Sequence, residues 1–314
     1  MSLPRLRRSV TLVTVPYRSA LCLMSCWLGM LPGAASAHVA AAPGKQEWAG
    51  ELWVQACLVL ALALYGRGLR RLYARAALGR RPLLVQGACF CAGWTLLAIA
   101  LASPLDAAGS ASFAAHMVQH ELLMIVAAPL MVLGRPLGVW IWAWPARMRR
   151  GLGAAARWPH LHRCWRVLTS PLSAGLLHFA TLWIWHAPAL FQAALLHPAL
   201  HALQHASFLF PALLFWWSVL GDAQGGPRGA AFANLFATML HTGALGALFA
   251  LSGNIWYPAY GGSAAGYGLS ALEDQQLGGL IMWVPGGLAY LIAALLLCAG
   301  WLKQSPRSVT GSPP

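Results

Sequence analysis

Eleven histidines in a chain that is 59% hydrophobic and 9% charged are the residues most able to do chemistry. Two pairs stand four residues apart, His116 with His120 and His201 with His205. On a helix that spacing puts both imidazoles of a pair on one face. Neutral imidazole and thioether suit copper, with thioether favouring the cuprous state. Met117, Met124, Met239 and Met282 supply such thioethers, although methionine at helical spacing is more often packing, and we read these four that way. Glu121 follows His120 directly. It is expected to be a ligand, a hydrogen-bond partner fixing an imidazole, or a lone bond between helices. The candidate metal ligands are His116, His120, His186, His201, His205, His241 and Glu121. His178 and His197 read as hydrogen-bond partners between helices, and His160 and His162 as loop residues. His38 is a minor candidate, as an N-terminal ligand.

The elements that must position these residues are membrane spans. Soluble domains carry roughly 25% charged residues, and 9% excludes that class here. Sixteen tryptophans suit aromatic belts at two membrane interfaces, and 32 glycines suit close helix packing in lipid. Seven apolar segments cover approximately residues 48–66, 83–102, 113–133, 171–191, 198–220, 229–252 and 274–302. Each approaches or exceeds the ~20 residues a helix needs to cross a bilayer. The fold class expected is all-α, an integral membrane bundle of seven transmembrane helices. Pro285-Gly286-Gly287 is a potential kink in the last of them.

A net charge of +14 invites a nucleic-acid reading, but the cations lie in short connections between apolar runs, so no nucleic-acid partner is expected. Arg67, Arg70, Arg71, Arg75, Arg80 and Arg81 occupy the first connection. Arg135, Arg147, Arg149, Arg150, Arg157, Arg163 and Arg166 occupy the third. Arg228 lies in the fifth, and Lys303 and Arg307 in the tail. The second, fourth and sixth connections have no Lys or Arg. The positive-inside rule then predicts a bacterial inner-membrane protein with its mature N-terminus outside and its C-terminus in the cytoplasm. That topology puts the candidate histidines in the outer half of the membrane.

Arg5, Arg7, Arg8 and Arg18, the apolar run ALCLMSCWLGML and Ala35-Ser36-Ala37 have the order of a signal peptide, predicted to be cleaved after Ala37. Residues 1–37 are thus a signal peptide, 38–302 the seven-span domain and 303–314 a disordered cytoplasmic tail. The seven cysteines include no CxxC pair, and Cys22 with Cys26 falls within the signal peptide, so a disulfide framework is not expected. The stretch 253–272 reads as a Gly/Tyr-rich outer loop. Asp274, Gln275 and Gln276 at its end read as gating or hydrogen-bonding groups.

Three long segments carry a resemblance. HMVQHELLMIVAAPLMVLGRP begins at His116, WIWHAPALFQAALLHPALHALQHASFLFPALLFWW at Trp183 and EDQQLGGLIMWVPGG at Glu273. Over residues 48–302 the chain resembles the CtaG family of multi-span cytochrome c oxidase assembly factors, the type associated with caa-type oxidases. The resemblance implies a non-enzymatic role in building a haem-copper oxidase at its copper centre, with oxidase subunits and the lipid membrane as partners. It brings no agreed set of working residues, so the ligand candidates rest on the histidine spacing. Three other readings of the histidines stay open: a haem b electron carrier, a copper transporter, and a scaffold whose histidines only join helices.

Overall fold

The computed structural model describes residues 52–76, 79–221 and 228–304. The expected signal peptide, the Cys22–Cys26 spacing, His38 and Arg307 lie outside these residues. Twelve α-helices and no strand are found among the described residues: α1 Leu52–Arg75, α2 Arg80–Ala102, α3 Pro104–Ala111, α4 Phe113–Leu133, α5 Pro136–Trp142, α6 Ala146–Ala155, α7 Pro159–Leu168, α8 Pro171–Trp185, α9 Pro188–Leu196, α10 Pro198–Leu220, α11 Arg228–Ala250 and α12 Ala271–Gln304. The protein is an all-α membrane bundle.

Six helices, α1, α2, α4, α10, α11 and α12, are long and apolar enough to cross a membrane. The fourth expected segment, 171–191, is not the single helix expected: α8 has 15 residues, and it is long and apolar enough to cross a membrane only when joined to α7, from which it is bent by 63°. Prolines explain both breaks. Pro171 starts a new helix behind the Ser170 cap, and Pro188 starts α9 two residues after His186. By contrast α12 stays helical through Pro285 over 34 residues. Freed backbone groups at a proline are readily accommodated in membrane bundles.

The spans are not equivalent. In α4 and α10, 56% and 61% of the apolar window is buried, against 17% in α1 and 22% in α12. The helices bearing the two histidine pairs therefore form the interior, and α1, α2 and α12 face outwards. Midway along α4 the backbone widens into a π-helix over Leu122–Ala127. Pro129 bears on this: it cannot donate to Ile125 O and its ring crowds that carbonyl in the α register, and in the π register it has no N–H to offer Met124 O. Trp216 of α10 instead donates its indole N–H to Met124 O at 2.8 Å, locking the two interior helices together.

The bundle has two unlike ends. At one, Arg67 donates to Ala143 O, and Arg71 donates to the carbonyls of Trp142, Ala143 and Trp144. These guanidinium groups satisfy the carbonyls left open at the C-terminus of α5. At the other end Asp274, 1% exposed, accepts from Ser112 Oγ at 2.6 Å and from the backbone N–H groups of Phe113 and Ala114 at 2.6 and 3.1 Å. A carboxylate there satisfies orphan donors and complements the dipole of α4, the helix that carries His116. Gln275 holds the following loop by accepting from Trp256 N and donating to Asn254 O, and Gln276 donates to Ser252 O. All three groups expected as gating or hydrogen-bonding residues thus bond α12 to its surroundings. Asp274→Ala leaves two buried N–H groups unpaired, so it is expected to cost about 3 kcal/mol. A lower thermal midpoint in detergent, with Asp274→Asn in between, checks this.

Candidate metal centre

Each histidine is set by a local signal. Ser112 caps α4, accepting from Ala115 N, so His116 and His120 fall on consecutive turns facing the interior. Pro198 starts α10, which places His201 and His205 on consecutive turns of the neighbouring helix. His186 ends α8 where the backbone turns towards Pro188.

Together these five imidazoles form one cluster. His116 Nε2 and His120 Nε2 are 2.9 Å apart. Ring centroids are separated by 4.2 Å for His201–His205, 5.3 Å for His116–His201, 5.5 Å for His120–His205 and 6.1 Å for His120–His186. Ligand atoms of His116, His120 and His205 all lie within 4.8 Å of one another, and so do those of Asp106, His201 and His205. The first trio is deeply buried, His116 at 0%, His120 at 1% and His205 at 7% exposure, while Asp106 and His201 are half-buried.

The hydrogen bonding leaves several ring nitrogens of the cluster without a partner. His186 Nδ1 donates to Leu182 O at 2.7 Å, which fixes its tautomer and turns Nε2 into an acceptor. His116 Nδ1 lies 3.2 Å from Gly109 O, the same arrangement. Metal-binding histidines are usually oriented by such a carbonyl on the far nitrogen. His186 Nε2, His201 Nε2, His205 Nε2 and His120 Nδ1 are buried without a hydrogen-bond partner. An unpaired buried polar atom costs about 1–3 kcal/mol, and four in one place make sense when a ligand completes them. Three imidazoles whose nitrogens converge in this way are a donor set that suits a metal ion.

An aromatic and loop cover closes the cluster. Phe191, Phe208 and Phe249 are fully buried against it, Phe208 4.5 Å from the His120 ring and Phe191 5.1 Å from the His116 ring. From the loop after α11, Tyr257 donates to His186 O at 2.7 Å, and Tyr260 donates to Gly109 O at 3.1 Å while lying 3.2 Å from His116 Nδ1. Burial pushes both phenols up, and the Asp274 carboxylate adds to the effect at Tyr260, so both stay O–H donors. Gly109 leaves little room for a side chain at this approach. A Cβ there would stand 3.0 Å from Gln119 Oε1 and 3.4 Å from His116 Cα.

Of the seven candidates from the sequence, the structure brings His116, His120, His186, His201 and His205 together and leaves two apart. His241 faces His178 at 6.3 Å between ring centroids, and His178 hydrogen-bonds Tyr290 across 3.1 Å. Glu121 points to α12, where a Cβ on Gly286 would stand 3.1 Å from its Oε2. The sequence reading missed Asp106. Its setting, Ser103-Pro104-Leu105-Asp106, is a helix start, with Ser103 accepting from Leu105 N, and a residue of that kind carries no sign of a metal role. Tyr257 and Tyr260 were read only as part of an outer loop.

The model of the cytochrome c oxidase caa3 assembly factor family (Caa3_CtaG) matches residues 63–304. The chain is 28% identical over 223 residues to an uncharacterized protein of Mycobacterium bovis and to one of Mycobacterium tuberculosis, and 26% identical to one of Mycobacterium leprae. Each alignment covers 68% of this chain and 34% of the mycobacterial protein, so the chain spans about a third of the length of these relatives. No solved structure matches the chain.

Proposed function

We propose, because the chain belongs to the cytochrome c oxidase caa3 assembly factor family, that it holds copper in its histidine cluster and passes it to the copper centre of an oxidase subunit. The observation carrying this reading is the buried trio His116, His120 and His205, with ligand atoms within 4.8 Å, backed by His186 and His201 with unpartnered nitrogens. Copper is the cargo, and the protein does no bond-making chemistry of its own.

In this reading each side chain has a role. The imidazoles bind the ion, and the carbonyls of Gly109 and Leu182 keep the far nitrogens of His116 and His186 occupied. Phe191, Phe208, Tyr257 and Tyr260 keep bulk water off the site. Positive-inside places the arginine-bearing connections in the cytoplasm of a bacterial inner membrane, and hence the histidine end outside. The ion then lies at a depth suited to a metal site buried within another membrane protein, and it leaves by ligand exchange. The 2.9 Å approach of His116 Nε2 to His120 Nε2 would suit two imidazoles held on one side of a single small ion.

The test is a strain lacking this chain, grown with and without added copper. The expected oxidase has normal haem, low copper and low activity, partly rescued by excess copper. An oxidase with full copper and full activity would falsify the reading.

A further inference from the structure

His205 belongs to both ligand trios. Resting on the copper reading above, we infer that Asp106, His201 and His205 form an exchange site, through which copper enters and leaves the His116–His120–His205 site.

Three observations carry this. The first is the burial gradient. Asp106 and His201 are half-buried, whereas His116 and His120 are closed off beneath them, so the two trios are an outer and an inner position. The second is the use of acids at this end. Asp274 is taken up by the N-terminus of α4, and Glu273 accepts from Ser270 N and Oγ. Asp106 instead stands beside two imidazoles, and no Lys or Arg occurs in residues 103–112, 186–197 or 251–270 to pair with it. It is an acidic side chain at the mouth of a cation site. The third is its positioning. Gln119, fully buried one residue before His120, donates from Nε2 to Asp106 Oδ1 at 2.8 Å and to Ala100 O at 2.7 Å. The carboxylate is therefore registered to the helix that carries the inner ligands.

The chemistry gives the direction. A carboxylate oxygen is a hard ligand and holds cuprous copper less well than imidazole does. The outer position is thus the weaker one, and the ion settles on the three imidazoles. A buried three-imidazole site would exchange slowly if every ligand had to let go at once. With His205 shared, the ion trades Asp106 and His201 for His116 and His120 in turn and is never without a protein ligand. Release to a partner runs through the same steps in reverse.

The experiment uses the full chain in detergent with one equivalent of cuprous ion. Loading is followed after mixing with cuprous acetonitrile complex, and extraction after adding excess bicinchoninate, a coloured cuprous chelator. A shared intermediate affects both directions alike, so Asp106→Ala is expected to slow loading and extraction by the same factor, about tenfold or more. Asp106→Glu should recover much of both rates, a rescue that a purely structural role does not predict. If neither rate changes, or if extraction alone becomes faster, Asp106 is off the path or is a resident ligand, and the inference is overturned. A wild-type chain that takes up no cuprous ion defeats the copper reading itself, before any variant is compared.

Discussion

Replacing His120 and His205 together by alanine is expected to leave the chain in the membrane but to stop copper reaching the oxidase. These residues supply two of the three buried ligand positions, and His205 serves both trios. Losing a group that merely orients a ligand weakens metal sites by about 10–100-fold, and here two ligands go. Cuprous binding by the purified double variant should fall by at least that factor. Oxidase activity and its copper-to-haem ratio should fall to the level of the strain lacking the chain. His160→Ala, an exposed residue at the arginine end, serves as the comparison and should behave as wild type. Normal oxidase maturation with the double variant present at wild-type levels means that the cluster does not deliver copper.

The second large effect concerns the contact between α11 and α12. Gly246 and Gly279 face each other across it. A Cβ on Gly246 would stand 2.7 Å from Trp283 N and 2.8 Å from Gly279 O, and one on Gly279 would stand 2.7 Å from Gly246 O. These neighbours are backbone, which cannot rotate aside as a side chain can. In lipid, where no hydrophobic force joins helices, such close packing supplies much of the association. Gly279→Leu is therefore expected to cost about 3 kcal/mol or more and to cut the yield of monodisperse protein sharply, with Gly279→Ala between. The damage should reach the metal site, because Asp274 lies just over one turn earlier on α12 and caps the helix bearing His116. Size-exclusion profiles and cuprous binding across the Gly, Ala, Leu series test both parts. A leucine variant with full yield and full binding would show that α11 and α12 do not depend on this close contact.

Much of this architecture is legible in the chain itself. Apolar runs of about 20 residues can satisfy their backbone in lipid only as helices, so all-α spans follow from hydropathy alone. The i, i+4 spacing of His116 with His120 and of His201 with His205 is equally local, and it puts each pair on one face before any tertiary contact exists. The alternation of arginine-bearing and arginine-free connections is also written in sequence order. The 63° break before α8 was partly legible, because Ser170-Pro171 and Ala187-Pro188 mark helix starts, but continuous apolarity over 171–191 hid them.

Tertiary structure alone decided which polar groups meet. Hydropathy says that a helix is in the membrane but not how it is rotated, and rotation depends on small residues and carbonyls of distant spans. Asp274 and Ser112 are 162 positions apart, and nothing local to either reports the bond. Rotation of α4, with its π-helix over 122–127, turns Glu121 towards Gly286 while His120 faces α10. The setting of α11 puts His241 against His178 and away from the five-histidine cluster. Asp106 illustrates the same limit from the other side. In the sequence it is an acid in the first turn of a short helix, and it becomes a neighbour of His201 and His205 only when α3 folds back over α4 through Gly109.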